Sequence, residues 1–194
     1  MVILIHLFIM TAILTHIQTR YAYTEHQIAL LNHGINIVIS DGINMAVLLV
    51  ISAAAGDVLQ GVVYLLTFTF MRKHSGGWHA STRVRCFLSY QAVFILMLLC
   101  TKWIHESWVI ILLFLSSVSY IIMNAPVQHI YNPLSEYEKC ENRRKLMKNL
   151  LLISIAFACF SLIKSHYAFT ISYASAWNAA CMALLKHSNK WRRS

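Results

Sequence analysis

The chemistry in this sequence concentrates in one polar, basic run, Arg72-Lys73-His74-Ser75-Gly76-Gly77-Trp78-His79-Ala80-Ser81-Thr82-Arg83-Val84-Arg85, and in the cysteine that follows it, Cys86. The thiolate is the nucleophilic form of cysteine, and nearby positive charge together with a helix N-terminus favours it. Cys86 has both, because Arg83, Arg85 and His79 precede it and it opens an apolar stretch that reads as a helix. That is how a covalent catalyst is made. His79 is the candidate base. Seven residues along one ideal helix separate two side chains by about 10.5 Å along the axis, too far for an imidazole to reach a thiol. His79 must therefore lie in the loop and fold back over Cys86. Gly76-Gly77 supplies the backbone freedom, and Ser81 or Thr82 can cap a helix starting there. From these residues alone, a His79/Cys86 catalytic pair and a basic loop with an incidental cysteine both stay open.

Other chemistries are poorly supported. The remaining cysteines, Cys100, Cys140, Cys159 and Cys181, make an odd set with Cys86 and contain no CxxC pair, which argues against a zinc ribbon or redox motif. Cys100, Cys159 and Cys181 lie in apolar runs and read as small core residues. The ten histidines include no HExxH, so neither a metal site nor a cofactor is expected. Asp41 and Asp57 fall within and at the end of an apolar stretch. Asp41 is either functional or a hydrogen-bonded structural carboxyl, since a charge at bilayer depth costs about 2.5 to 3.5 kcal/mol. Gln60, Gln91 and Asn178 read as hydrogen-bonding glue between helices.

The elements that must position these residues belong to a membrane protein. Of 194 residues, 58% are hydrophobic and 12% charged, against about 25% charged in soluble domains. Apolar stretches run at 35–55, 58–71, 86–100, 108–123, 150–162 and 167–185. The sequence thus predicts an all-α polytopic bundle of about six membrane helices, several short for a full span. Residues 1–19 read as a further membrane-associated helix without a signal peptide's basic start or cleavage site. The stretch from Tyr21 to Asn36 is weakly amphipathic and suits a helix in the interface. The chain is expected to form a single membrane-embedded domain, with N-terminal membrane-associated helices over 1–34, a catalytic loop over 72–85 and a basic loop over 125–148.

The basic residues orient the bundle. Arg72, Lys73, Arg83 and Arg85, then Lys139, Arg143, Arg144, Lys145 and Lys148, then Lys186, Lys190, Arg192 and Arg193 fall on one face if the six helices form three hairpins. Arg20 joins them if the amphipathic segment lies on that side, leaving Lys102 and Lys164 opposite. This asymmetry predicts a cytoplasmic catalytic loop and C-terminus. A formal charge of +9 in so apolar a chain does not suit nucleic-acid binding; it suits anionic lipid or an acidic or amphipathic peptide.

The run from Arg72 to Ala80 followed by Cys86, with its His-x6-Cys spacing, resembles the signature of the accessory gene regulator B (AgrB) family. Asn124-Ala125-Pro126 and Asn132-Pro133-Leu134 are similar to that family's Ala-Pro and Lys-Pro-Leu segments. Asn132 stands where a lysine is common, and Val127-Gln128-His129 replaces a more basic stretch. The resemblance implies a membrane cysteine endopeptidase, a thiol protease that processes a small AgrD-like precursor into a cyclic autoinducing peptide for bacterial quorum sensing. It implies Cys86 as nucleophile, His79 as base and then acid, Arg72 in precursor contact and Gly77 in loop conformation. Arg83 and Arg85 are added as candidate substrate contacts. It further implies a homodimer in the bacterial cell membrane. A non-enzymatic peptide exporter or signalling subunit keeps every topology argument and is the principal rival. An intramembrane metalloprotease lacks its Glu/His ligand pairs here.

Overall fold

The computed structural model describes residues 25–77, 82–104, 107–128, 134–163 and 165–191. Six helices follow one another: α1 (Glu25–Ala54), α2 (Val58–Ser75), α3 (Arg83–Thr101), α4 (Ser107–Asn124), α5 (Glu136–Leu162) and α6 (Tyr167–Trp191). Helices satisfy their own backbone groups, the condition for crossing hydrocarbon. The expected all-α membrane bundle is what forms. Five helices contain stretches long and apolar enough to cross a bilayer: Gly34–Ala54, Val84–Thr101, Ser107–Asn124, Glu136–Leu162 and Tyr167–Asn189.

The exception is α2, and its surroundings explain why it need not be apolar. It packs against α1, α5 and α6, and buries Gln60, Gly61, Tyr64, Thr67 and Ser75 against them. A helix wrapped by protein spends polar side chains on its neighbours instead of exposing apolar ones to lipid. Gln60 Nε2 lies 3.1 Å from Thr101 Oγ1 and 3.2 Å from Thr170 Oγ1, joining α2 to α3 and α6. Gly61 N–H donates to Ser52 Oγ at 3.0 Å. A side chain at Gly61 would meet that hydroxyl at 2.6 Å, so glycine sets the α1–α2 approach.

Three boundaries differ from the hydropathy reading. No break occurs near Ile35, because residues from Glu25 onward continue into one 30-residue helix. The basic segment before Leu150 is largely helical: α5 starts at Glu136, 14 residues ahead of its apolar run. A capping box starts it, Ser135 Oγ accepting from Glu138 N–H and Glu138 Oε2 accepting from Ser135 N–H. Ion pairs Lys139–Glu136 and Lys145–Glu141 lie one turn apart on its exposed face. Hydropathy misses this half because its charged residues mask the buried Leu146. The loop expected over 72–85 is also shorter, since Arg72 and Lys73 lie in the last turn of α2 and Arg83 and Arg85 in the first of α3.

At the centre, α6 packs against α2, α3, α4 and α5. Thr170, Ser172, Ser175 and Asn178 are fully buried on it. Small side chains allow close helix approach, and their hydroxyls return hydrogen bonds to backbone: Ser172 Oγ lies 2.9 Å from Ala168 O, and Ser175 Oγ donates to Ile171 O at 2.7 Å. One apolar cluster gathers Met71, Phe114, Ile121, Leu150, Phe157 and Met182. A second gathers Leu48, Tyr64, Phe68, Phe94, Met97 and Phe169. Outward-facing Leu88, Leu96, Leu112, Leu115, Leu151 and Leu152 are exposed, as a lipid-facing surface requires.

The bundle has two unlike ends. At one, the α2–α3 turn, residues 125–128, the start of α5 and the end of α6 meet: His74 Nδ1 lies 3.2 Å from Asn142 Oδ1, Lys186 Nζ donates to Asn124 Oδ1 at 2.8 Å, and Asn189 Nδ2 donates to Gln128 O at 2.9 Å. At the other, Asp57 caps α2 by accepting from Gln60 N–H at 3.0 Å, and pairs with His166 Nε2 at 2.7 Å. Burial alone would push the Asp57 carboxyl up. The His166 and Gln60 hydrogen bonds and the His166 charge outweigh it and hold the carboxyl below its ordinary value of 3.8. A depressed carboxyl stabilises the fold fully above that ordinary value and loses its contribution as pH falls through the folded one. Asp57→Ala should therefore lower stability by about 1 to 2 kcal/mol at neutral pH. Thermal unfolding in detergent should show the gap to wild type closing as pH falls below 3.8.

Candidate active site

Two helix ends face each other where α2 stops and α3 begins. The last turn of α2 carries Arg72, Lys73 and His74, and the first two place positive charge where the helix dipole is negative. Arg72 turns back on its own helix end, Nη1 donating to Gly76 O at 2.9 Å. Val127 N–H donates to Ser75 O at 2.9 Å, and Gly76 and Val127 form a parallel bridge. Ser75 Oγ donates to Asn178 Oδ1 of α6 at 3.0 Å, fully buried. The chain then leaves through two positive-φ glycines, Gly76 at +71° and Gly77 at +137°, a conformation that side chains resist. Space excludes side chains as well. A Cβ on Gly76 would run into Val127 O, and one on Gly77 into the Arg72 guanidinium and, at 3.3 Å, the backbone of Cys181.

The chain re-enters helix at Thr82, whose hydroxyl accepts from Arg85 N–H at 3.3 Å as the N-cap of α3. Cys86 follows in the first turn, its N–H donating to Thr82 O at 3.0 Å. Its half-buried thiol lines a cavity of about 400 Å³ where α1, α2, α3 and α6 converge. Arg72 and Lys73 of α2, Asp41 of α1, Tyr90 of α3, and Trp177 and Cys181 of α6 also line it. Arg72 lies within electrostatic range of both Cys86 and Cys181, and Tyr90 of both Asp41 and Cys86. A thiol beside a guanidinium in a partly closed cavity has the surroundings of a nucleophile.

The expected site residues divide accordingly. Cys86, Arg72 and Gly77 come together. Arg85 sits exposed on the first turn of α3, outside the cavity lining. His79 lies outside the described residues, as does the side chain of Arg83. Asp41, left open by the sequence, stands on the cavity wall. Lys73, Trp177 and Cys181 were not anticipated as lining residues. The only trace of the last two was their spacing of four on one helix, which gives them a shared face. Cys181, read as a core residue, is buried yet faces the Cys86 cavity, whereas Cys159, read the same way, is exposed on α5. Gln60, Gln91 and Asn178 each join helices, Gln91 Nε2 donating to Asn44 O at 3.0 Å. Arg143 serves the end of α4, Nη1 donating to Ala125 O at 3.2 Å. Among the described residues no group of three His, Cys, Asp or Glu could hold a metal ion.

The family model described as accessory gene regulator B matches residues 10–185. An AgrB-like protein of Listeria welshimeri is 27% identical over 131 residues, covering 64% of this chain and 62% of the relative. The chain thus spans about three-fifths of that relative's length. No solved structure gives a significant match. With a family match running from before α1 to within α6, across the whole Cys86 cavity, the chain belongs to the accessory gene regulator B family.

Proposed function

We propose that this protein is a membrane cysteine endopeptidase that cleaves a small precursor peptide through a thioester on Cys86 and releases the retained part as a cyclic autoinducing peptide for quorum sensing. The observation that carries the reading is the placing of Cys86: it stands in the first turn of α3, on a cavity it shares with Arg72, just after the Gly76–Gly77 turn. Membership in the family supports the signalling role. The Cys86 sulfur attacks the scissile carbonyl, and His79 takes the thiol proton and passes it to the leaving amine. The part of the precursor before the cleaved bond stays on Cys86 as a thioester. An internal cysteine or serine of that peptide then attacks the thioester, closing a thiolactone or lactone ring. Arg72 and Lys73 offer cations to carboxylates of the departing half.

The basic end of the bundle is assigned to the cytoplasm. Arg72, Lys73, Arg85, the α5 cations and Lys186 gather there, whereas Lys102 sits at the opposite end of α3. The precursor thus meets Cys86 at the cytoplasmic membrane surface, in the cell membrane of a bacterium.

Co-expression with the small peptide encoded beside its gene, followed by mass spectrometry, tests the reading. Wild type should cleave the precursor and carry a hydroxylamine-labile peptide adduct on Cys86. Cys86→Ala and His79→Ala should insert normally and leave the precursor intact. Equal processing by wild type and Cys86→Ala would transfer the argument to a peptide exporter. A separate expectation concerns the turn: Gly77→Ala displaces the Arg72 guanidinium and should slow cleavage by about 10²-fold, the cost of a misplaced catalytic group. Gly42→Ala, at a position with open space around it, should process the precursor at the wild-type rate.

A further inference from the structure

A thioester on Cys86 has two fates. If the peptide's own thiol attacks, a new C–S bond forms, the bond to Cys86 breaks, and the incoming proton ends on the Cys86 sulfur. The product is a ring. If water attacks, a C–O bond forms instead, and a linear acid and the free Cys86 thiol result. The winner depends on how firmly the acyl chain is held near its internal nucleophile and how well water is kept out.

The cavity beside Cys86 bears on both. At about 400 Å³ it falls within the ordinary range of ligand pockets. Much of its wall is Met45 of α1, Phe68 of α2, Tyr90 of α3 and Trp177 of α6. Trp177 packs against the Leu48–Tyr64–Phe94 cluster, which holds the ring in place. Asn44 also lines the cavity, and its buried Oδ1 has no hydrogen-bond partner among the described residues. That oxygen is an acceptor suited to a peptide N–H. The covalent bond itself decides what occupies the space, because an acyl group on Cys86 begins at the cavity wall.

We infer that this cavity is the subsite for the peptide segment just before the cleaved bond, an apolar or aromatic stretch, and that Trp177 controls how the thioester divides between ring closure and hydrolysis. The inference rests on the proposed peptidase reading and deepens it. Trp177 contributes area against which the acyl chain packs, and fills volume that water would otherwise enter. Ser89, also on the lining, is a position from which a larger side chain would fill the same space.

The test uses the full-length protein in lipid nanodiscs with the synthetic precursor encoded beside its gene, in water enriched with oxygen-18. Mass spectrometry then counts departing fragment, cyclic product and labelled linear acid. Among the precursor molecules it cleaves, Trp177→Ala should raise the ratio of linear to cyclic product roughly tenfold, whatever the change in cleavage rate. Ser89→Phe should slow cleavage of the natural precursor and recover when the residue before the cleaved bond is replaced by glycine. Should Trp177→Ala fail to insert, the Ser89→Phe pair decides alone. Cleavage by Trp177→Ala with an unchanged product ratio overturns this inference and leaves the peptidase standing, as does unimpeded cleavage by Ser89→Phe. Absence of cleavage by wild type overturns both.

Discussion

A helix that stops inside a bundle leaves its last carbonyls to be satisfied by something else. At the end of α2 that demand organises the site. Ser75 O takes the Val127 N–H, Gly76 O takes the Arg72 guanidinium, and the Ser75 hydroxyl reaches Asn178 on α6. The segment after α4 and helix α6 are thereby tied to the end of α2. Because Val127 and Arg72 come so close, no side chain fits at Gly76 or Gly77. The two glycines are needed twice, for positive φ and for clearance.

The same constraint explains why α2, alone among the six described helices, has no stretch apolar enough to cross a bilayer by itself. It runs from the Asp57–His166 pair at one end to the Ser75–Val127 contact at the other, with α1, α5 and α6 around it. Its polar side chains are used up on neighbours: Gln60 on Thr101 and Thr170, Gly61 N–H on Ser52, Ser75 on Asn178. In hydrocarbon a polar side chain without a partner is costly, so these pairings specify which faces meet. This helix, packed among α1, α5 and α6, is the one that carries Arg72.

Much of this was legible in the sequence, and the reasons for the rest are physical. Apolar runs and charge asymmetry located the helices because lipid-facing surface must be apolar whatever it packs against. Helix ends were less legible. The first turns of α5 are charged and largely exposed, so hydropathy reads them as loop, although Ser135 and Glu138 form a capping box visible in the residues themselves. Cys86 and Arg72 were found because chemistry and charge lie close together along the chain. Trp177 and Cys181 were not, because their relevance depends on α6 docking beside α2 and α3, a contact between residues about 100 positions apart. Local sequence carries no record of such a pairing.

The groups around Cys86 therefore come from four helices, and the precision of the site is the precision of helix packing. The buried Ser172, Ser175 and Asn178 stripe matters for this reason. Asn178 ties α6 to α2 through Ser75 and Ser172 ties it to α4 through Ile110 O, and α6 lies close enough that a Cβ added at Gly77 would stand 3.3 Å from the Cys181 backbone. Larger residues on that stripe would push α6 outward, loosening Trp177 and Cys181 from the cavity and Asn178 from Ser75 together. A thiol at the membrane boundary needs no separate soluble domain to shield it when four helices close around it. Its setting depends on buried side chains of α6 that are not themselves on the cavity lining.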